Sequence, residues 1–120
     1  MKTNFDEYSN WWFVQRMPID IDYNFYTYVI KFDRFYKIGI TNSLLNRFST
    51  FRNHLPLEPE LIGFFRFKDS GHYRMESSIL NDLIGYKSKG EWVECNELQL
   101  MEVINHWELE SKIKFIRNGK

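Results

Sequence analysis

Two runs rich in β-branched and aromatic residues, FYTYVIKF (Phe25–Phe32) and FYKIGIT (Phe35–Thr41), stand with only Asp33 and Arg34 between them. Neither a helix nor a crossover fits into two residues, so the runs pair as an antiparallel hairpin. The first run carries apolar groups on both alternating faces, the pattern of a strand covered on both sides. An even-numbered loop sets the register, with Phe32 opposite Phe35, Ile30 opposite Lys37 and Tyr28 opposite Gly39. Tyr28, Lys37 and Gly39 then share one face of the sheet, and Tyr36, Ile38 and Ile40 take the other. The loop lacks the glycine that two-residue hairpins favour, which leaves its turn type open.

Downstream, Thr41-Asn42-Ser43 offers N-cap side chains for a short amphipathic helix with Leu44, Leu45, Phe48 and Phe51 at helical spacing, closed before Pro56. A loop across Pro56 and Pro59 leads into a third strand, ELIGFFRFK, over residues 60–68. Asp69 or Ser70 caps a second helix, GHYRMESSILNDLIGY, which runs to Tyr86. KSKGE reads as a turn and EWVEC as a short strand, and Asn96 with Gln99 three residues later resembles a capping box. A last helix over residues 97–115 turns Leu100, Val103, Ile104 and Trp107 inward. Ahead of the hairpin, residues 5–16 form a helix with Phe5, Tyr8 and Trp12 inward, ended by the Met17-Pro18 step. Its Trp11-Trp12-Phe13 cluster either packs on the sheet, the commoner role for such rings, or meets a partner.

A chain of 120 residues is one domain. No stretch approaches the roughly 18 apolar residues of a membrane-spanning helix, and the first residues do not form a secretory signal. Cys95 has no second cysteine to pair with, and His54, His72 and His106 do not combine with it at zinc-finger spacing. The expectation is a soluble cytoplasmic protein without a membrane partner. The 16 basic and 16 acidic residues exclude a uniformly basic coat for nucleic acid. The charge is nevertheless segregated: residues 31–52 sum to +4, with Lys31, Arg34, Lys37, Arg47 and Arg52, and residues 82–110 sum to −5. Neutrality therefore does not exclude DNA, although it predicts weak, salt-sensitive binding.

Among single residues, Glu76 is the most informative. At about 100° per residue with Met75 at zero, Ile79, Leu83 and Leu80 fall at roughly 40°, 80° and 140°, and Glu76 at roughly 100°, inside the apolar arc. A carboxylate there is costly unless paired, hydrogen-bonded or bound to a metal. A metal ligand, a salt bridge beside the core and a helix rotated to put Glu76 at the rim all meet that condition. His72, one turn earlier, is either a second ligand or, more commonly, a satisfied structural histidine. Arg47 flanks the apolar stripe of its own helix, from which its guanidinium can be solvated or aimed at a cleft. Tyr28 and Lys37 taken singly read as a core tyrosine and a snorkelling lysine.

Taken in order, the chain carries YTYVI, then YKIGIT nine residues from Tyr28 to Lys37, Arg47 in the next helix, Glu76 in the helix after the third strand, and GEWV. This arrangement over residues 24–95 resembles the GIY-YIG nuclease superfamily, particularly a phage-associated branch with a Y-K-I-G second motif and a G-E-W-F-like turn. The resemblance implies an α+β fold in which a small sheet, begun by the antiparallel hairpin and extended by a third strand, is flanked by helices. Residues 1–23 would be an N-terminal helical extension, 24–95 the GIY-YIG-like domain and 96–120 a C-terminal helix packed on it.

The implied activity is hydrolysis of DNA phosphodiester bonds by an endonuclease using one Mg²⁺ or Mn²⁺, encoded by a phage or mobile element. By position, Tyr28 helps to activate water, Arg47 stabilises charge on the scissile phosphate and Glu76 holds the metal. Lys37 stands where the superfamily has its second tyrosine, and Lys31, Gly39, Arg52 and His54 are candidates for contact with substrate. Tyr26 replaces the opening glycine of the first motif, and Leu80 occupies a position where many members of the branch carry histidine. Leu80, the zero net charge and the tryptophan cluster support an alternative, a catalytically weakened module that binds DNA or inhibits a host protein. So short a chain leaves little room for a targeting domain, so sequence specificity would come from a homodimer or a partner.

Overall fold

A computed structural model describes residues 25–44, 46, 47, 49, 50 and 59–118. The expected N-terminal helix, the Trp11-Trp12-Phe13 cluster, Arg52 and His54 lie outside the described residues. The described elements are β1 (Phe25–Phe32), β2 (Phe35–Thr41), β3 (Glu60–Phe67), α1 (Gly71–Asp82), β4 (Lys87–Lys89), β5 (Trp92–Glu94), α2 (Glu97–Ser111) and β6 (Phe115–Arg117). The fold is α+β. The strands form one antiparallel sheet in the order β4-β5-β2-β1-β3-β6.

β1 and β2 pair in the expected register, with Phe32 against Phe35, Ile30 against Lys37 and Tyr28 against Gly39. Asp33 takes φ 59° at the first central position of the turn. A short polar side chain tolerates that left-handed geometry better than a branched one, so aspartate replaces the customary glycine. With β2 on one side and β3 on the other, β1 is interior to the sheet, and Thr27, Tyr28, Val29 and Ile30 are all buried. Its two-faced apolar pattern follows from that position.

The alternation sorts side chains into two cores. Val29, Tyr36, Ile38 and Phe65 pack with Met75 and Ile79 of α1 and Leu100 and Ile104 of α2. Tyr28, Ile30, Leu61 and Phe64 pack on the other face with Leu44. Leu44 begins the short helical stretch after β2, where Ser43 supplies the cap: its Oγ accepts from the Asn46 N–H at 3.3 Å and its carbonyl from Arg47 N–H at 3.1 Å. Ser70 is the N-cap of α1 without a side-chain cap bond, and Asp69, one residue earlier, accepts the Gly71 N–H through Oδ1 at 2.9 Å.

α2 opens with the expected capping box, Asn96 Oδ1 accepting from Gln99 N–H and Gln99 Oε1 from Asn96 N–H. Replacing Asn96 by alanine leaves one of these donors without its acceptor, and thermal unfolding is expected to show a loss of about 1 kcal/mol.

Three expectations are corrected. The second helix does not reach Tyr86; α1 stops at Asp82, where the Leu83 N–H bonds back to the carbonyls of Ile79 and Leu80 and buried Leu83 anchors the turn. The segment expected as a turn, KSKGE, is instead a hairpin in which Lys87–Lys89 forms β4 and Gly90, at φ 64°, turns the chain into β5. The last helix does not run to residue 115. It ends at Ser111 because Lys112 enters left-handed geometry (φ 61°), and Phe115–Arg117 becomes β6 on the edge of β3. Gly63 admits that strand, since a Cβ there would overlap the Ile116 carbonyl and the Phe115 ring. No helix among the described residues is long and apolar enough to cross a membrane.

Candidate functional site

β2 is seven residues long, but β5 pairs with it only at Phe35 and Tyr36. Beyond that point, the outer edge of Lys37–Thr41 bonds to no other described strand, and the site collects around this open edge. Tyr28 comes from β1, Lys37 and Gly39 from β2, Arg47 from the short helical stretch, Glu76 from α1 and Glu91 from the β4–β5 turn.

Gly39 is where the closest approach occurs. A Cβ built on it would fall onto Oη and Cζ of Tyr28 and lie 3.0 Å from Cε1, so the phenol fills the space that any side chain would need. Tyr28 is buried to 2% exposure. Burial pushes its pKa up to about 12, with Arg47 pulling down and the carboxylates of Glu76 and Glu91 pushing up. A phenol so placed stays protonated at neutral pH and can donate or accept a hydrogen bond, but it is not a phenolate base. In alkaline spectrophotometric titration, a phenol ionising at about 12 is therefore expected in the folded protein and missing from Tyr28→Phe. If the phenol lost in Tyr28→Phe ionised at the ordinary tyrosine value of about 10, burial would not raise it.

Glu76 is half-buried at the rim of α1's apolar face rather than deep in the core. It lines a cavity of about 370 Å³ together with Ile38, Leu80, Tyr86, Ser88 and Glu91. Burial raises its pKa, offset by the Lys37 ammonium, reinforced by the Glu91 carboxylate and offset again by His72. Among the described residues no lysine or arginine forms an ion pair with it, so the salt-bridged alternative is absent there.

Lys37 instead bonds through Nζ to Glu91 Oε1. That bond and the charge of Lys37 hold the Glu91 carboxyl below its ordinary range, and Arg47 lowers it further. Tyr28, Lys37, Arg47, Glu76 and Glu91 thus lie within one another's electrostatic reach: two cations, two carboxylates and a neutral phenol.

Glu91 was not singled out by the sequence, where it counted within the acidic block; its place in GEWV directly after Gly90 was the available signal. Lys31 is not brought to this cluster. It stands opposite Tyr36 on the other face of the sheet, with Nζ 5.7 Å from that ring. His72 is buried in a ring stack between Phe25 (4.9 Å) and Tyr73 (4.4 Å), and its backbone carbonyl accepts from Thr27 Oγ1 at 2.9 Å. The backbone at His72 ties α1 to β1, while the ring is buried with Nδ1 lacking a hydrogen-bond partner among the described residues, so it is not the satisfied histidine expected.

Among the described residues, no three His, Cys, Asp or Glu side chains cluster as a ready-made metal cage. The oxygen donors present, Glu76 with Glu91 beside it, suit a hard divalent cation that keeps most of its waters. Nearby Lys37 and Arg47 suit a phosphate.

Residues 25–108 match the T5orf172 domain, which spans well over half of the chain. The chain belongs to the T5orf172 domain family. This is a phage-associated domain of an endonuclease-related class. The T5orf172 match begins at the first residue of β1, extends into α2, and contains all five residues of the cluster. No curated protein and no solved structure matches the chain.

Proposed function

We propose that this T5orf172 protein is a DNA endonuclease of the GIY-YIG type that hydrolyses phosphodiester bonds with one Mg²⁺ or Mn²⁺. The observation that carries the reading is the meeting of Tyr28, Lys37, Arg47 and Glu76, drawn from four separate elements, in one charged cluster at the open edge of β2.

Glu76 would hold the metal, and a raised pKa suits it, because a carboxylate burdened by burial gains most from a cation. The bound ion would supply Lewis-acid polarisation of the phosphoryl group and a more acidic water. Arg47 and Lys37 bind the non-bridging oxygens of the scissile phosphate, and the planar guanidinium favours the charge that builds in the transition state. Tyr28, protonated and enclosed by Gly39, orients the attacking water through Oη and does not itself ionise. Binding of DNA is weak, because few cations neutralise the backbone, and it falls with salt in proportion to the phosphates they contact. Sequence specificity comes from a second copy of the chain or a partner.

Purified protein incubated with supercoiled plasmid and Mg²⁺ is expected to nick it, and Glu76→Ala is expected not to. Absence of nicking on plasmid, branched DNA and RNA alike, or equal nicking by the variant, sinks the proposal. Leu80 favours a second reading. It places a hydrocarbon wall beside Glu76 in the cavity, which suits a module that has kept binding and lost turnover. Salt-sensitive DNA retention without cleavage supports that module. Co-purification of a host protein, lost on replacing Trp11 or Trp12, supports its protein-binding form.

A further inference from the structure

We infer that Glu91 is a positioning residue that occupies, in the free protein, the anion seat made by Lys37 and Arg47, and that it is displaced from that seat by a DNA phosphate. The inference rests on the endonuclease reading only in taking DNA as the anion. Its ground is the bond from Lys37 Nζ to the Glu91 carboxylate, with Arg47 forming no ion pair with Glu91 and attracting it from farther off. These are the two cations that a phosphate would need. Both partners cannot be served at once, because a second anion brought up to a carboxylate is repelled while it competes for the same donors.

The two ends of the ion pair differ in exposure. The Lys37 side chain is 12% exposed and projects from a strand of the main sheet, whereas that of Glu91 is 78% exposed. Glu91 follows Gly90, at φ 64°, in the turn joining two three-residue strands. When a phosphate arrives, the carboxylate can swing into water at little cost while the ammonium keeps its place, and an exposed ion pair is weak enough to be exchanged. In the free protein the same contact neutralises Lys37 and holds its ammonium at the open edge of β2, ready for transfer. Glu91 acts through Lys37 and Arg47 and touches no reacting atom.

The test is direct binding of a fluorescein-labelled DNA duplex, followed by anisotropy in EDTA so that cleavage plays no part. Glu91→Gln is expected to bind about three- to tenfold more tightly than the unmodified protein. Glu102→Gln, the same charge change on the exposed side of α2, measures the general effect of net charge and should change affinity less than about twofold. In a Lys37→Met background, the gain from Glu91→Gln should shrink, since half of the seat is gone.

Equal or weaker binding by Glu91→Gln, the same gain from Glu102→Gln, or a gain undiminished without Lys37 overturns the inference. So does failure of every variant to bind DNA. Binding that follows the expected order in a protein that never nicks DNA upholds the inference and sinks the endonuclease reading alone.

Discussion

Glu76→Gln is expected to lose at least about a thousandfold in Mg²⁺-dependent nicking, the several kcal/mol that a metal supplies to a transition state, and yet to melt at a higher temperature than the unmodified protein at pH 7. The first effect follows because an amide offers no charge to a hard cation. The second follows from the direction of the pKa shift. Burial raises the carboxyl of Glu76, so the folded state prefers the protonated form. The stability it contributes is fully present below the ordinary carboxylate range, about pH 4, and is lost as pH rises through the elevated folded value. Glutamine remains neutral across that window, so its advantage should open as pH rises from 4 to 7 and close again on acidification. Melting curves over that range, with the nicking assay, check both halves. A variant that is less stable at pH 7 would show that Lys37 stabilises the carboxylate more than burial opposes it.

Gly39→Ala is the second large effect. Its Cβ lands on the Tyr28 phenol, which is itself packed in a buried cluster with Ile30, Leu44 and Phe64. The strand backbone at residue 39 is tied into the register with Tyr28, so the strain cannot be relieved by moving the glycine alone. A loss of about 1–3 kcal/mol is expected from overpacking, together with nicking reduced by about a hundredfold as Oη is driven from its position. Tyr28→Phe separates the two consequences, because it removes Oη without adding volume. In the Tyr28→Ala background the alanine at 39 should be tolerated. If Gly39→Ala unfolds at the same denaturant concentration as the unmodified protein and nicks DNA equally well, the close approach of Gly39 and Tyr28 has no functional role.

The hairpin was legible because its information is local. Two residues leave one kind of connection, and the two-residue period of a strand converts the register into a statement about faces. Tyr28, Lys37 and Gly39 were grouped on one face by that argument, and they are grouped so in the fold. A period of 3.6 set Glu76 in the middle of the apolar arc of α1, and the structure has it half-buried at the rim, which is the rotated-helix alternative. The alternation also carried a warning about Lys31, opposite Tyr36, that a count of basic residues along the chain does not register.

What was not legible depends on distant partners. The last helix was expected to reach Phe115, and Phe115–Arg117 is a strand only because Gly63, 52 residues before Phe115, leaves room for its backbone on the edge of β3. Lys87–Lys89 has no strand signal of its own and becomes one only by pairing with β5, which is held by Phe35 and Tyr36.

Sequence alone determined the hairpin and its register, because over a few residues backbone geometry leaves few choices. The α+β class and the grouping of Tyr28, Lys37, Arg47 and Glu76 came instead from the resemblance over residues 24–95, not from local spacing. The tertiary structure alone decided that β5 stops short along β2, that the β4–β5 turn closes over the open edge, and that Glu91 there meets Lys37. Those contacts join residues 54 positions apart, and a charge's partner across such a distance is set by packing rather than by any period in the chain.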